Sequence, residues 1–282
     1  DAGLSWQTFS TRQNAPLRAI HFADDRHGWA VGDFGTILAS DDGGQTWRRQ
    51  RAGGTRAALM AVFADGRDLP LELFAKLSAE EGYLSVAEIV GRTDPEKTAE
   101  QGVDCRDRVR EAVVALGGCG AGQAWRFPLM PEALKLKADV VIDEWNRAND
   151  GQGAALLEAH LVRQIRTYRP DVLVTHGPSP TGEDPLGELL NHAVMTAVRA
   201  AADPTSYADQ ITQAGLEPWT VTRVFAAMAP GLTGTTSIST AQLATRLGRS
   251  LADAAAGPRG LIDREMRPGI ETLGFSLLVD DR

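Results

Sequence analysis

The sequence feature that most constrains the fold is an unbroken apolar run at residues 57–64, AALMAVFA. The run is preceded by Gly53-Gly54 and followed by Asp65-Gly66, and such pairs are typical of turns. A short apolar run without alternation predicts a strand that is buried on both faces, as in the parallel sheets of α/β proteins. Open α/β sheets bind ligands at the carboxyl ends of their strands, so the polar residues up to Asp68 are candidates for a functional site.

Strand-like and helix-like segments alternate through the rest of the chain. Further strands are predicted at residues 83–91, 138–142, 171–175 and 219–229. The spacing of apolar residues predicts helices that begin near residue 71 and helices at residues 107–118, 153–168, 186–201 and 240–256. This alternation predicts an α/β fold of three layers, with helices on both faces of one sheet.

The first 50 residues have a different pattern. Apolar residues recur at short intervals between Gly and Asp turns, which is typical of an antiparallel β-meander. The segment SDDGGQTW at residues 40–47 resembles the Asp-box of sialidase-like and photosystem II assembly factor-like β-propeller repeats, and Ser40, Asp42 and Trp47 are among the matching residues. In such a box we expect the Asp to hold the amides of a tight turn, the glycines to adopt positive φ and the Trp to anchor the turn.

We therefore predict two parts, a single propeller-like blade at residues 1–54 and an α/β domain at residues 55–282. Propellers close with about four to eight blades, so this blade either belongs to a longer protein with further blades or packs against the second domain. LMAVFADGR at residues 59–67 partly repeats LRAIHFADDR at residues 17–26, which would start a second blade near residue 58. The helical spacing after residue 70 favours the α/β interpretation.

The net charge argues against two classes of partner. With 37 acidic and 29 basic residues the formal net charge is −8, and Lys and Arg form no block. Nucleic acids and anionic membrane surfaces are bound through positive charge, so we expect neither as a partner. No apolar stretch approaches the ~20 residues of a membrane span, so membrane insertion is not expected either. A neutral or weakly charged small polar ligand is the expected kind of partner.

Residues 57–280 resemble the PIG-L/LmbE-like de-N-acetylases, zinc-dependent enzymes that remove acetyl groups from N-acetylglucosamine-type sugars. The resemblance is carried, in order, by the first strand with its acidic loop and by three later segments, RPDVLVTHGP at 169–178, NHAVMTAVRAAADP at 191–204 and EPWTVTRVF at 217–225. It implies a Rossmann-like three-layer sandwich of the LmbE/PIG-L type with a site at the end of the first strand.

The residues at the family's zinc motifs depart from the family's pattern. The motif A-H-P-D-D-E falls on A-D-G-R-D-L at residues 64–69, and H-P-D-H falls on L-L-N-H at residues 189–192. The resemblance therefore implies a remnant metal site of Asp65, Asp68 and His192, with Arg67 in the position of the general base. Arginine stays protonated, so it does not accept a proton from metal-bound water. Arg67 is instead expected to pair with Asp65 or Asp68 and to take the place of the cation.

Further residues are candidates for binding a ligand together with Arg67. His176 directly follows a predicted strand, and Glu183 and Asp184 lie in the Gly- and Pro-rich loop after it. The alternative interpretations are a histidine in a turn and solvated loop acids. His192 lies away from the apolar stripe of its helix, so it is either solvated or part of the site.

These observations favour a de-N-acetylase-like domain with a degraded metal and catalytic site, acting as a non-catalytic carbohydrate-binding or scaffolding module without a cofactor. The alternative is an active zinc-dependent deacetylase whose site is rebuilt around Asp65, Asp68 and His192. Because Asp-box repeats occur mostly in exported proteins, the resemblance also implies a periplasmic or extracellular location within a larger protein.

Overall fold

The computed structural model describes residues 7–11, 16–32, 36–51, 57–93, 105–124, 126–129, 138–178, 184–263 and 270–281. Within these ranges a four-stranded antiparallel sheet is followed by a seven-stranded, mostly parallel sheet with helices on both faces. The predicted α/β class and the predicted N-terminal meander are confirmed. The predicted domain boundary at residues 54 and 55 lies outside the described residues.

The N-terminal sheet consists of neighbouring strands in chain order, β1 (Leu17–Phe22), β2 (Gly28–Gly32), β3 (Ile37–Ser40) and β4 (Arg48–Arg51). Ile20 pairs with Ala30 in the register of β1 and β2, so it lies on the face opposite to Trp29. Ile20 is 61% exposed and Trp29 is 38% exposed. The sheet therefore presents large apolar side chains on both of its faces.

The Asp-box forms the turn between β3 and β4. The hydroxyl of Ser40 donates to Asp42 and accepts from the amide of Gly44, and Asp42 accepts from both the amide and the hydroxyl of Thr46. Gly43 and Gly44 have φ of 75° and 88°, and the Trp47 ring packs edge-on against Phe22. The turn chemistry predicted for this motif is confirmed.

We expect the Asp-box turn to lose its hydrogen bonds only in strong acid. Hydrogen bonds from Thr46, and then from Ser40, lower the pKa of Asp42 from 3.8 to about 2. A carboxyl whose pKa is lower in the folded state stabilises that state above its unfolded pKa and loses the effect as the pH falls towards the folded value. Carbon-detected NMR titration of Asp42 should give a midpoint about two pH units below that of an ordinary aspartate, and a midpoint near 3.8 would contradict the turn geometry.

The central sheet has the strand order β12-β15-β11-β10-β5-β6-β8. The strands β5, β6, β8, β10 and β11 are parallel, whereas β15 runs antiparallel to both β11 and β12. The bounds are β5 (Leu59–Phe63), β6 (Ser85–Ile89), β7 (Arg92–Thr93), β8 (Gly120–Gln123), β9 (Pro128–Leu129), β10 (Val172–His176), β11 (Arg223–Ala227), β12 (Thr236–Ser239), β13 (Leu243–Ala244), β14 (Arg249–Ser250) and β15 (Thr272–Asp280). The short strands pair as β7 with β9 and β13 with β14.

The helices divide between the two faces of this sheet and complete a three-layer sandwich. Their bounds are α1 (Leu71–Phe74, continuing as a π-helix over Ala75–Glu80), α2 (Cys105–Ala115), α3 (Ala138–Ala148), α4 (Gly153–Tyr168), α5 (Pro185–Ala202), α6 (Ala208–Thr212) and α7 (Leu251–Ile262). Buried side chains of α3, α4 and α5 form one core with the sheet, and those of α1, α2 and α7 form the other. The strand β5 is buried on both faces, as its apolar run predicted.

Two local predictions were wrong. Residues 138–142 form the first turns of helix α3, because Val141 and Trp145, four residues apart, pack into the core as one helical stripe. The predicted helix at 240–256 begins only at Leu251, where the hydroxyl of Ser250 accepts from the amide of Asp253 and caps it. The preceding residues form the hairpin of β13 and β14, with Gly248 at φ of 65°.

Two buried arginine clusters hold the helices in place. Arg166 of α4 is fully buried and donates to main-chain carbonyls at the end of α5 and in the segment after it, those of Ala200, Ala201, Asp203, Ser206 and Tyr207. On the other face, Arg259 of α7 donates to both carboxylate oxygens of the buried Glu72 of α1 at 2.7 Å.

Among the helices of the described ranges, none is both long and apolar enough to cross a membrane.

Candidate functional site

Five polar residues meet where the central strands β5 and β10 end. The two strands are parallel neighbours, with Val174 opposite Ala61, so the last residue of β10 lies beside the last residue of β5. The loop after β5 enters a 3₁₀ turn at residues 66–68, and helix α5 begins after Asp184. This arrangement brings together Asp65, Arg67, Asp68, His176 and Asp184, which we call the strand-end cluster.

Asp65 and Arg67 form a bidentate ion pair. Arg67 donates from Nε to one oxygen of Asp65 and from Nη2 to the other, both at 2.9 Å, and its main-chain amide also donates to Asp65 at 2.9 Å. The pair has a local origin, because Asp65 caps the 3₁₀ turn in which Arg67 lies. The Asp65 side chain is 11% exposed, and its hydrogen bonds hold the pKa of Arg67 above the usual arginine range. Both carboxylate oxygens of Asp65 are therefore engaged by a permanent cation.

His176 is buried at the end of β10, and both of its ring nitrogens have neighbours. The amide of Ala64 donates to Nε2 at 3.0 Å, and Nδ1 lies 3.4 Å from Oδ2 of Asp184. An acceptor nitrogen carries no hydrogen, so this geometry assigns the proton to Nδ1, from which it points to Asp184. The ring packs against Phe63 with the centroids 4.8 Å apart. The imidazole is thus fixed in orientation.

Asp184 links His176 to the first turn of α5. One of its oxygens accepts from the amide of Gly187 at 2.9 Å, as an N-cap does, and the other faces His176. The hydrogen bond with His176, followed by that with Gly187, lowers the pKa of Asp184. A Cβ atom at residue 187 would lie 2.0 Å from Asp184 and 2.9 Å from the His176 ring, so only glycine permits this approach.

Asp68 lies at the open side of the cluster. Its side chain is 45% exposed and its Oδ2 is 3.9 Å from Nε2 of His176, too far for a hydrogen bond. Burial of the carboxyl, with the nearby charges of Asp65 and Asp184, raises the pKa of Asp68 against the opposing effects of His176 and Arg67. Asp68 is about as exposed as Asp184, and both present a carboxylate at the surface of the cluster.

His192 does not join the strand-end cluster. His192 is exposed and lies inside α5, seven residues after its first residue Pro185, whereas the family motif lies before a helix. Its neighbour Asn191 donates to the main-chain oxygen of His176 at 2.7 Å. Glu183 lies outside the described residues. The residue at the start of the helix is instead Asp184.

The strand-end cluster does not fit a catalytic zinc ion. Both oxygens of Asp65 already accept from the cationic guanidinium of Arg67, which would repel a metal ion, and the Nε2 lone pair of His176 that zinc would need accepts from the amide of Ala64. In the described part of the chain, His, Cys, Asp and Glu side chains form no group of three or more that could hold a metal ion.

The chemistry open to the cluster is hydrogen bonding to a polar ligand. Two of the five N–H groups of Arg67 bind Asp65, and a guanidinium leaves the other three for further acceptors. Asp68 and Asp184 are about half exposed and supply carboxylate acceptors beside it. Hydrogen-bond donors and acceptors thus lie side by side at the carboxyl ends of the strands.

Glu88 and His160 form a second polar pair, in which the Glu88 side chain is buried and which the motifs of the sequence did not indicate. Oε1 of Glu88 lies 2.7 Å from Nε2 of His160, and the Glu88 side chain is 2% exposed. The available signal was the acid within the apolar strand segment YLSVAEIVG, because an acid is almost never buried without a partner.

Comparison with known proteins gives separate results for the two parts of the chain. Residues 2–64 match the family described as photosynthesis system II assembly factor YCF48. The match extends through β5, where the sequence partly repeats that of β1. A search of curated proteins finds no match to the chain.

Three solved structures resemble the α/β part. N,N'-diacetylchitobiose deacetylase from Pyrococcus horikoshii, complexed with its inhibitor MPG, has a TM-score of 0.54 at 13% identity, covering 79% of this chain and 84% of that one. The conserved protein TT1542 from Thermus thermophilus has a TM-score of 0.49 at 16% identity, covering 79% and 95%. GalB, the 4-carboxy-2-hydroxymuconate hydratase from Pseudomonas putida, has a TM-score of 0.48 at 15% identity, covering 79% and 96%.

At these identities the structural likeness concerns the fold and not the chemistry. The two resemblances predicted from the sequence, to photosystem II assembly factor-like repeats and to LmbE/PIG-L-like deacetylases, are confirmed at this level. The chain joins a photosystem II assembly factor-type repeat at its N-terminus to an α/β domain with the fold of the LmbE/PIG-L-type deacetylases.

Proposed function

We propose that the α/β domain is a non-catalytic module that binds carbohydrate or provides a scaffold, built on a deacetylase-type fold whose metal site is degraded. One observation carries this proposal, the bidentate pair that engages both oxygens of Asp65 with Arg67. A guanidinium in this place supplies the positive charge that a metal ion would bring, but it activates no water. The proposal therefore includes neither zinc nor another cofactor.

Carbohydrate is the proposed ligand class for a chemical reason and by analogy. Sugar hydroxyls donate and accept hydrogen bonds at once, and the strand-end cluster offers guanidinium donors beside the half-exposed carboxylates of Asp68 and Asp184. The deacetylase of similar fold acts, by its name, on an acetylated chitobiose. The fold by itself does not determine the ligand.

The N-terminal blade supports the proposal of a larger exported protein. Its sheet exposes Ile20 on one face and Trp29 on the other, as expected of a blade that neighbours cover on both sides. Asp-box repeats are typical of exported proteins, so we propose a periplasmic or extracellular location. A native mass above that of 282 residues, with further Asp-boxes in the additional sequence, would support this, and secretion assays would test the location.

The proposed function is tested by measuring metal content, acetate release and sugar binding on one preparation. We expect purified protein to hold substoichiometric zinc by elemental mass spectrometry and to release no acetate from N,N'-diacetylchitobiose. Calorimetry should detect binding of the same disaccharide, weakened about tenfold in Arg67→Gln because one charged hydrogen-bonding group contributes on the order of 1.4 kcal/mol.

Arg199→Gln serves as the matched control, because Arg199 is an exposed arginine near the end of α5. It should bind the disaccharide as the wild type does. The rival hypothesis of an active deacetylase would be correct if the wild type held one zinc per chain, lost it in His192→Ala and released acetate. Equal disaccharide binding by Arg67→Gln and the wild type would exclude the strand-end cluster as the sugar site.

A further inference from the structure

The strand-end cluster contains more acidic than basic groups. Its members are three aspartates, Asp65, Asp68 and Asp184, with the guanidinium of Arg67 and the imidazole of His176. The guanidinium is committed to Asp65, both of whose oxygens accept from it. The other two aspartates therefore carry charges for which the cluster contains no second guanidinium or ammonium group.

A fourth carboxylate adds to this negative charge. Asp263 follows the last residue of α7, and Ile262 lies 3.4 Å from the position that a Cβ atom of Gly66 would take, so the end of α7 packs against the turn of the cluster. The charges of Asp68 and Asp263 both act on the guanidinium of Arg67. One guanidinium neutralises one carboxylate, so these residues together carry an excess of negative charge.

Asp68 is the acid of the cluster whose oxygens are not engaged. Among the described residues its carboxylate accepts no hydrogen bond. The ring nitrogen Nε2 of His176 lies 3.9 Å away, and its lone pair accepts from the amide of Ala64. The Asp68 side chain is 45% exposed, so a ligand that brings hydrogen-bond donors can reach it.

Asp68 and Asp184 lie beside the two nitrogens of one imidazole ring. Oδ2 of Asp184 is 3.4 Å from Nδ1 of His176, and Oδ2 of Asp68 is 3.9 Å from Nε2 of the same ring. The ring is held by its packing against Phe63, and Asp184 is held by the amide of Gly187. Because one small ring separates them, the two carboxylates are close enough for a single sugar-sized ligand to contact both.

We propose that the strand-end cluster prefers a sugar with a free ammonium group, which binds Asp68 with Asp184 beside it, over the acetylated sugar. This inference rests on the proposed function and names the class of carbohydrate within it. An ammonium group has three donors, no acceptor and the positive charge that the cluster lacks, whereas an N-acetyl group has one donor and no charge. The remaining N–H groups of Arg67 are left for the sugar hydroxyls, which a simple amine does not offer.

Calorimetric titration of the full chain with chitobiose and with N,N'-diacetylchitobiose tests this inference. The two disaccharides differ only in their acetyl groups, and at about pH 6 a sugar amine, like an α-amino group, is protonated. Chitobiose should bind about tenfold more tightly, because its hydrogen bonds to the carboxylates are charge-assisted. In Asp68→Asn, which keeps the size of the side chain and removes its charge, the preference should fall below about threefold.

The matched control is Asp143→Asn, which removes an exposed acid of α3 outside the cluster and should keep the full preference. Arg67→Gln separates this inference from the proposed function. It should weaken binding of the acetylated disaccharide, but it also removes a positive charge that repels the ammonium group, so the preference for chitobiose should increase.

Ethanolamine, an ammonium compound without a sugar ring, should bind at least about tenfold more weakly than chitobiose, and equal binding would overturn the assignment to a sugar. If chitobiose bound no more tightly than N,N'-diacetylchitobiose, or if its advantage persisted in Asp68→Asn, the inference would be wrong while the proposed sugar site remained. If neither disaccharide bound, the sugar site itself would be excluded together with the inference.

Discussion

Replacing Arg166 by methionine is expected to lower the free energy of unfolding by about 3 kcal/mol or more, the largest effect we predict for a single substitution. The substitution keeps much of the side-chain volume but removes the donors of five main-chain carbonyls between Ala200 and Tyr207. These carbonyls end helix α5 and shape the segment after it, and methionine leaves them without that donor in the interior. Urea unfolding monitored by circular dichroism measures the loss.

Arg163→Met is the matched control, because Arg163 lies three residues earlier on the same helix and is exposed. Its effect on unfolding should stay within about 0.5 kcal/mol. If Arg166→Met were no more destabilising than Arg163→Met, the hydrogen bonds of Arg166 would not stabilise the junction after α5.

Removing Arg259 is expected to cost about 2–3 kcal/mol, because it leaves the Glu72 carboxylate buried without its cation. The Glu72 side chain is 2% exposed, whereas that of Arg259 is 19% exposed, so partial contact with water keeps the cost at the lower end of the range for buried pairs. The variant Arg259→Met and thermal unfolding test this expectation. Helices α1 and α7 should lose protection from hydrogen exchange first.

The double variant Glu72→Leu/Arg259→Met should recover most of that loss. Replacing both partners of a buried ion pair by apolar residues is often neutral or stabilising, since no uncompensated charge remains. Arg249→Met, at an exposed position on β14, controls for the loss of an arginine. If the double variant were as unstable as Arg259→Met, the loss would come from the missing contact between α1 and α7 and not from the unpaired carboxylate of Glu72.

The sequence predicted those parts of the fold in which one element carries its own pattern. The apolar run of β5 and the stripes of α4 and α5 are strong local signals, and the structure confirms them. The strand β8 has the sequence GAGQ, which lacks β-branched or aromatic residues, so it is a strand only because β6 supplies a partner. The strand predicted at residues 138–142, ADVVI, is the start of α3, because so short an apolar run does not distinguish a strand from a buried helical turn.

The candidate site could be predicted in part for a similar reason. Arg67 is close in sequence to both Asp65 and Asp68, so its pairing with one of them could be predicted. The structure shows that the partner is Asp65, two residues away. The contact of His176 with Asp184 depends on where α5 begins, and the contact of Glu88 with His160 spans 72 residues. Such contacts depend on the strand order of the sheet, which periodicity within one segment does not reveal.

The antiparallel insertion of β15 affects the order in which the sheet can be completed. The strand β12 precedes β15 in the chain but joins the sheet through β15, which lies between β12 and β11. During translation the ribosome therefore releases β12 before its template exists, and β11 keeps a bare edge until β15 emerges. Nascent chains at this stage are the ones we expect to need shielding by a chaperone, since a bare strand edge readily recruits a second chain.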